Sequence, residues 1–351
     1  ILRYGDVILV NKMPNNSYRL GQLPTASAAI VSLSPDDGSI KAAVGGFSFK
    51  QSQFNRVTQA KRQVGSNIKP FIYSAALENG FTLASLVNDA PTNQWDTSSG
   101  SVWRPRNSPE TYVGPIRVSR ALAQSKNVIA VRLLQSIGVN KTIKHLNAFG
   151  FSKSDLPRSE TLALGSASLT PLEVANGFAT FANGGFLVTP YLIERIENSN
   201  GEVIFQADPA LACDPCFEVS KLENREQSLS VLSAEENIVT VNDNINETNN
   251  QDLAAITEQE QINIKQAPRV ISAQNAFLIT RALNGVIWGA DWSNKPGWQG
   301  TGWRARTLKR RDIAGKTGTT NEAKDAWFSG YSRHLITTSW IGFDDPSHML
   351  G

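Results

Sequence analysis

Ser66 and Lys69 stand three residues apart in Gly65-Ser66-Asn67-Ile68-Lys69-Pro70. On a helix, positions i and i+3 share a face, so the two side chains are expected to touch. A serine hydroxyl becomes a nucleophile when a base takes its proton. A lysine acts as that base once burial and nearby positive charge depress its pKa. A helix start at Ser66 adds unpaired backbone N–H groups and the positive dipole end, which favour a developing oxyanion. Alone, the pair is close to a chance match, and a serine cap followed by a surface lysine is its commoner meaning.

Two further motifs change that weighting. Ser125-Lys126-Asn127 falls between two helical patterns, so its side chains can project from a loop. Ser125 suits a proton relay to a leaving amine, and Asn127 suits holding substrate backbone or orienting Lys69. The plain alternative is that Ser and Asn are good loop residues. Lys316-Thr317-Gly318 lies on an expected strand. There Lys316 offers a fixed positive charge, and Gly318 removes a side chain so that substrate backbone can approach. Thr317 and Thr319 share a strand face and suit a carboxylate. Gly315-Lys316-Thr317 also reads like the end of a phosphate loop. Arg310 occupies the position where that loop needs glycine, and a strand rather than a helix follows, so ATP binding is not expected. The chain contains no G-x-S-x-G elbow and no H-E-x-x-H. His145, His334 and His348 stand in no suggestive setting.

The elements that must position these residues follow from pattern. Asp6–Val10 reads as a strand with no obvious partner, and residues 1–24 as a linker or the remnant of an upstream module. Residues 26–34 and 40–44 form a hairpin across Pro35-Asp36-Asp37-Gly38. A helix starts near Ser66, tolerates Pro70 in its first turn and stops at Gly80. Ile116–Ala123 and Val128–Ile137 read as amphipathic helices. Thr170-Pro171-Leu172-Glu173 predicts a capped helix start, and Asn183-Gly184-Gly185 its end. A second hairpin spans 191–205, and a helix covers 273–286. Strands are expected at 312–319, 326–331 and 336–343. With strands at both ends and helices between, the order predicts a mostly antiparallel sheet packed on a helical block.

Composition bounds the rest. The 351 residues are 40% hydrophobic and 19% charged, enough for a sizeable core. The net charge of +3 gives no reason to expect a nucleic-acid partner. No apolar run approaches the ~18 residues of a membrane span. The chain opens at Ile1 without a signal segment, so any anchor is expected upstream. Ten acidic and three basic residues between Phe217 and Ala267 make that stretch net −7 and the remainder +10. The basic body suits an anionic substrate. Residues 207–270 are polar and aperiodic, and predict a surface insertion. Cys213 and Cys216 form a C-x-x-C too poor in ligands for closed zinc. A local disulfide in an oxidising compartment is preferred over two reduced loop cysteines.

The motifs, with Arg62–Phe71, Trp103-Arg104-Pro105-Arg106-Asn107, residues 124–128, Leu162–Ser166, residues 315–321 and Asp325–Tyr331, resemble class A penicillin-binding proteins of the 1a type. They lie within the penicillin-binding protein and serine β-lactamase superfamily. The resemblance runs from about Ala26 to the end and includes the polar insertion. It implies a mixed α/β fold of the α+β kind: a five-stranded antiparallel sheet flanked by helices, plus a helical block. Domains follow as 1–24, the edge of a small β-domain or a linker, and 25–351, the transpeptidase, with the insertion at about 207–270. The implied reaction is cross-linking of peptidoglycan stem peptides ending in D-Ala-D-Ala through a serine acyl-enzyme, with β-lactams acylating the same serine. Ser66 is then the nucleophile, Lys69 the base, Ser125 a relay and Asn127 an orienting group. Lys316, Thr317, Gly318 and Thr319 bind substrate, and the N–H groups of Ser66 and Thr319 form the oxyanion hole. No cofactor or metal is implied. The expected location is the periplasmic face of the bacterial inner membrane, with an anchor and a glycosyltransferase module outside this chain. Other cell-wall synthesis proteins are candidate partners through the insertion. Two rivals remain: hydrolysis, as a D,D-carboxypeptidase or a β-lactamase with Glu160 as the nearest deacylating base, and a non-catalytic β-lactam sensor.

Overall fold

Alternation of buried and partly exposed residues along two strands near the C-terminus sets the frame of the molecule. The computed structural model describes residues 3–22, 24–96, 101–213, 265–289, 298–345 and 347–350. The first two strands, β1 (Leu9–Lys12) and β2 (Tyr18–Gly21), pair only with each other. The partnerless strand expected at residues 6–10 is therefore one arm of a small hairpin, at Leu9–Lys12. β3 (Ser27–Leu33) and β4 (Ile40–Val44) form the expected hairpin.

β5 (Arg62–Gln63) leads into a 3-10 turn, Gly65–Ile68, and then α1 (Lys69–Glu78). The helix thus begins in a tighter turn at Ser66 and becomes α-helical only at Lys69, with Pro70 in its first turn. β6 (Leu86–Asp89), β7 (Gln94–Asp96), β8 (Ser101–Trp103) and β9 (Gly114–Arg117) form two small antiparallel ribbons, β6 with β9 and β7 with β8. Ile116 and Arg117 were expected to open a helix; they end a strand because their backbone pairs with Val87 and Leu86. α2 (Val118–Ala123), α3 (Asn127–Ile137) and α4 (Val139–Ala148) follow. β10 (Ser168–Leu169) pairs with β5. α5 (Pro171–Ala182) carries the predicted capping box, closed in both directions between Thr170 and Glu173. β11 (Arg195–Glu197) and β12 (Val203–Gln206) make the second hairpin.

α6 (Ala273–Trp288) then brings the chain back to β13 (Ala314–Thr319), β14 (Asp325–Tyr331) and β15 (Ile336–Gly342). Five strands form one antiparallel sheet in the order β13-β14-β15-β3-β4, so the two chain ends meet between β15 and β3. β13, which carries Lys316, is an edge strand. α1 is apolar nearly all round and is buried over Lys69–Ala76. Its Phe71 ring packs against Phe149, Phe151, Phe178 and Phe181, with centroids 4.9–5.3 Å away. This cluster fixes the turn that precedes α1 relative to the helical block.

Of the stretch 207–270, residues 214–264, with Cys216, lie outside the described residues. The flanks are not the polar surface expected. Leu211 bridges Gln266, Ala267 is buried, and Ala210 and Ala212 pack against the core. Cys213 is disulfide-bonded.

Candidate active site

Lys69 has no solvent exposure. Its Nζ lies within hydrogen-bond reach of Ser125 O at 2.6 Å, Ser125 Oγ at 3.2 Å and Asn127 Oδ1 at 2.6 Å. Lys316 is equally buried, and its Nζ donates to Ser125 Oγ at 3.0 Å and to Thr317 O at 2.8 Å. Among the described residues neither lysine has a carboxylate partner. Burial, and then the charge of Lys316, hold Lys69 well below the usual lysine range. Burial brings Lys316 down to about 7.

Three chain segments produce this meeting. The 3-10 turn and α1 deliver Ser66 and Lys69. The link between α2 and α3 delivers Ser125, held at φ +55°, a left-handed conformation that a serine adopts only under constraint. This bend presents Ser125 O and Oγ together to Lys69. Strand β13 delivers Lys316 and the two threonines. Thr320 N donates to Asp325 O, which sets the phase of the β13–β14 ladder. Thr317 and Thr319 are therefore the residues whose N–H groups turn away from β14 toward the free edge.

Above the lysines lies a cleft of about 820 Å³. Ser66, Ser125, Asn127, Thr317 and Thr319 line it, and the half-buried Ser66 forms part of its floor. The expected pairing of Ser66 and Lys69 is not a side-chain hydrogen bond. Among the described residues they are joined only through the backbone, Lys69 N donating to Ser66 O, while Lys69 Nζ bonds Ser125 and Asn127. Gly318 also differs from expectation. It is buried and does not line the cleft. A Cβ there would meet Val64 O at 2.8 Å and Asn67 Cβ at 3.2 Å, so the glycine lets β13 lie against the Ser66 turn. Gly65, at φ +52°, does the reciprocal job: its Cβ would stand 2.5 Å from Thr319 O. Thr317 Oγ1 is engaged by Thr301 Oγ1 at 2.7 Å. Glu160 lies off the cleft, its carboxylate held by Gln135 Nε2.

A polar layer braces these parts. Arg62 pairs with the buried Asp325 at 2.8 Å and lies over the Trp340 ring. Trp340 Nε1 donates to the same carboxylate, and Trp327 Nε1 donates to Gln63 O. These bonds tie the strand before Ser66 to the sheet, and explain why Arg62 and Asp325–Tyr331 belong with the motifs. Thr301 and Asn107 were not singled out from the sequence as site residues. Asn107 Oδ1 accepts from Asn127 N at 2.9 Å, twenty residues on. No local pattern encodes that bond.

The five-stranded antiparallel sheet with its helical block, and the serine–lysine cleft between them, point to one class of protein, and the comparisons with known proteins name its family. The family described as penicillin binding protein transpeptidase domain matches residues 28–347, and the chain belongs to it. The chain is 49% identical over 361 residues to penicillin-binding protein 1A of Escherichia coli strain K12, covering 100% of this chain and 41% of that protein. It is 49% identical over 336 residues to penicillin-binding protein 1A of Vibrio cholerae, covering 95% and 37%. The crystal structure of penicillin-binding protein 1A from Haemophilus influenzae superposes with a TM-score of 0.80 at 44% identity, covering 98% of this chain and 47% of that one. The chain thus spans about two fifths of the length of the curated relatives it matches.

Proposed function

We propose that this chain is the acyl-transferring part of a peptidoglycan D,D-transpeptidase that β-lactams acylate. The observation carrying this reading is the convergence of two fully buried lysines on one hydroxyl, Ser125 Oγ, beneath a cleft that Ser66 lines.

The chemistry follows from the hydrogen-bond partners. Ser125 O and Asn127 Oδ1 can only accept from Lys69, whereas Ser125 Oγ can also donate. When Lys69 loses its proton, Ser125 Oγ is the contact able to reverse, donating to Lys69 while accepting from Lys316. Ser66 Oγ then attacks the penultimate D-alanine carbonyl of a stem peptide as neutral Lys69 turns its lone pair from Ser125 to Ser66 and takes the serine proton. The N–H groups of Ser66 and Thr319 face the oxyanion. The amide C–N bond breaks, the departing D-alanine amine takes the proton through Ser125, and an ester remains on Ser66. An amine from a second stem peptide attacks the ester, forms the cross-link and restores the serine. Lys316, Thr317 and Thr319 hold the terminal carboxylate. The free edge of β13 suits an extended peptide added as a further strand. A β-lactam follows the first half, with its leaving amine tethered in the acyl group.

Residues 25–351 are then the transpeptidase unit. Residues 1–24, whose hairpin pairs with no other described strand, are the edge of a separate small β-module. The unit works at the periplasmic face of the inner membrane through an anchor outside this chain, and other cell-wall synthesis proteins are candidate partners through the insertion at about 207–270. Glu160 is held by Gln135 away from the cleft, which favours slow deacylation over β-lactamase turnover.

Mass spectrometry of the benzylpenicillin adduct tests the reading. One long-lived adduct on Ser66, absent in Ser66→Ala at an unchanged melt, is expected, with cross-linked dimer in a two-peptide assay. Labelling that survives Ser66→Ala overturns the assignment of the nucleophile; rapid penicillin turnover favours a hydrolase; persistent absence of dimer favours a sensor.

A further inference from the structure

Asn127 accepts from Lys69 through Oδ1, and its amide is oriented by a second bond: Nδ2 donates to Arg106 O at 2.7 Å. The helix that Asn127 opens has no cap of its own, because the residue before it, Lys126, provides no side-chain acceptor. The cap comes from elsewhere. Asn107 Oδ1 accepts from Asn127 N at 2.9 Å and from Val128 N at 3.3 Å, two donors that a helix start leaves unpaired. Asn107 is itself buried, and its Nδ2 donates to Asp89 Oδ1 at 2.7 Å and to Thr111 O at 2.8 Å. Asp89, with no exposure, forms an ion pair with Lys126 at 3.0 Å. Lys126 is the middle residue of the Ser125-Lys126-Asn127 motif, and it also donates to Thr111 O.

These bonds close a ring. Lys126 turns away from the cleft toward Asp89, while Ser125 and Asn127 on either side turn toward Lys69. The left-handed bend at Ser125 is set by the end of α2, where Ser125 N donates to Leu122 O and Lys126 N to Ala121 O, and the ring bonds hold Lys126 and Asn127 just beyond it. We propose that Asn107, clamped by the Asp89–Lys126 ion pair, is a positioning residue for acyl transfer: it caps α3 and thereby holds Asn127 and Ser125 on Lys69. The inference rests on the transpeptidase reading for its kinetic consequence, but its geometric consequence at Lys69 stands without turnover.

The test uses the full chain carrying Asn107→Ala, Asn107→Asp, Asp89→Asn and the pair Asn107→Asp with Asp89→Asn. Two signals are followed: benzylpenicillin acylation across pH, normalised to the folded fraction, and the titration of Lys69 by its ζ-nitrogen NMR shift. In Asn107→Ala the limiting acylation rate is expected to fall roughly 10- to 100-fold, the penalty for a misplaced reacting group, with little change in the binding constant. The ammonium loses a firm acceptor, so Lys69 should titrate at lower pH and the acid limb of the profile should move down with it. Asn107→Asp alone sets two carboxylates side by side and should also be slow. The double variant restores one carboxylate and one amide, with an acceptor at the helix start, and should recover most of the rate. A rate that falls only with the folded fraction, an unmoved Lys69 titration, or a double variant no better than Asn107→Asp overturns the proposal. Failure of the unsubstituted chain to be acylated would instead sink the transpeptidase reading, with the Lys69 titration still deciding this inference.

Discussion

Lys69 Nζ and Lys316 Nζ donate to the same atom, Ser125 Oγ, at 3.2 and 3.0 Å. Two ammonium groups with no exposure and no carboxylate partner among the described residues are an unfavourable pair. The arrangement is stable only because the neutral form of at least one lysine is accessible near neutral pH. That neutral amine is what a serine nucleophile needs.

The pH dependence of acylation should therefore report on Lys69. The rate is expected to rise as Lys69 loses its proton and to show an acid limb. Lys316→Met removes the like charge that helps depress Lys69. Lys69 should then hold its proton more tightly, and the acid limb should move to higher pH, alongside a large loss of rate from the missing carboxylate contact. Penicillin acylation measured across pH checks both; a limb that stays in place contradicts the coupling.

Stability should vary with pH for the same reason. Lys316 titrates at about 7 in the folded chain and at the ordinary 10.5 when unfolded. Between those values the unfolded chain binds more protons, so stability rises with pH across that window. Below about 7 both states are protonated and the penalty of a buried charge is felt in full. Lys316→Met should raise the melting temperature at pH 7 and flatten its climb toward pH 10.5, as thermal melts across the window would record. The site would then be less active and the fold more stable, as expected where a functional group is buried against its preference.

Gly318→Ala tests the packing role of that glycine. Its Cβ would press on Val64 O and on the Cβ atoms of Asn67 and Trp327, all firmly held. A loss of about 1–3 kcal/mol is expected, of the size seen for overpacking, with slower acylation because β13 moves from the Ser66 turn. Gly65→Ala should be worse, since a positive φ adds backbone strain to the clash with Thr319 O. Chemical denaturation of both variants would measure this. A neutral Gly318→Ala with weakened substrate binding would return Gly318 to a substrate role.

Arg62→Met should be destabilising although it lies outside the cleft. It leaves Asp325 buried without its cation, a change of about 3–5 kcal/mol when one partner of a buried pair is removed. Arg62→Met with Asp325→Ala should cost less than the sum of the two single changes, because no unpaired charge remains. A double-mutant cycle by urea denaturation provides the check; strict additivity would mean that the two side chains do not act together.

What the sequence by itself determined is local. The Thr170–Glu173 capping box, the 27–44 hairpin, the helix end at Gly80 and the strand character of Ala314–Thr319 follow from neighbours within a few residues, and so could be read directly. The motif residues were legible because serine, lysine and asparagine at those spacings have few shared purposes. Tertiary structure alone decided their use. Whether Lys69 would face Ser66 or Ser125, whether Gly318 would meet substrate or the Val64 backbone, and that Asn107 would cap a helix twenty residues away, depend on segments brought together by folding. Periodicity and propensity act over a turn of helix or a pair of strands. Burial of a charge, and the pKa it produces, depend on everything that surrounds the group in space. For Lys69 that surrounding is assembled from α1, the bend at Ser125 and strand β13, which no local pattern joins.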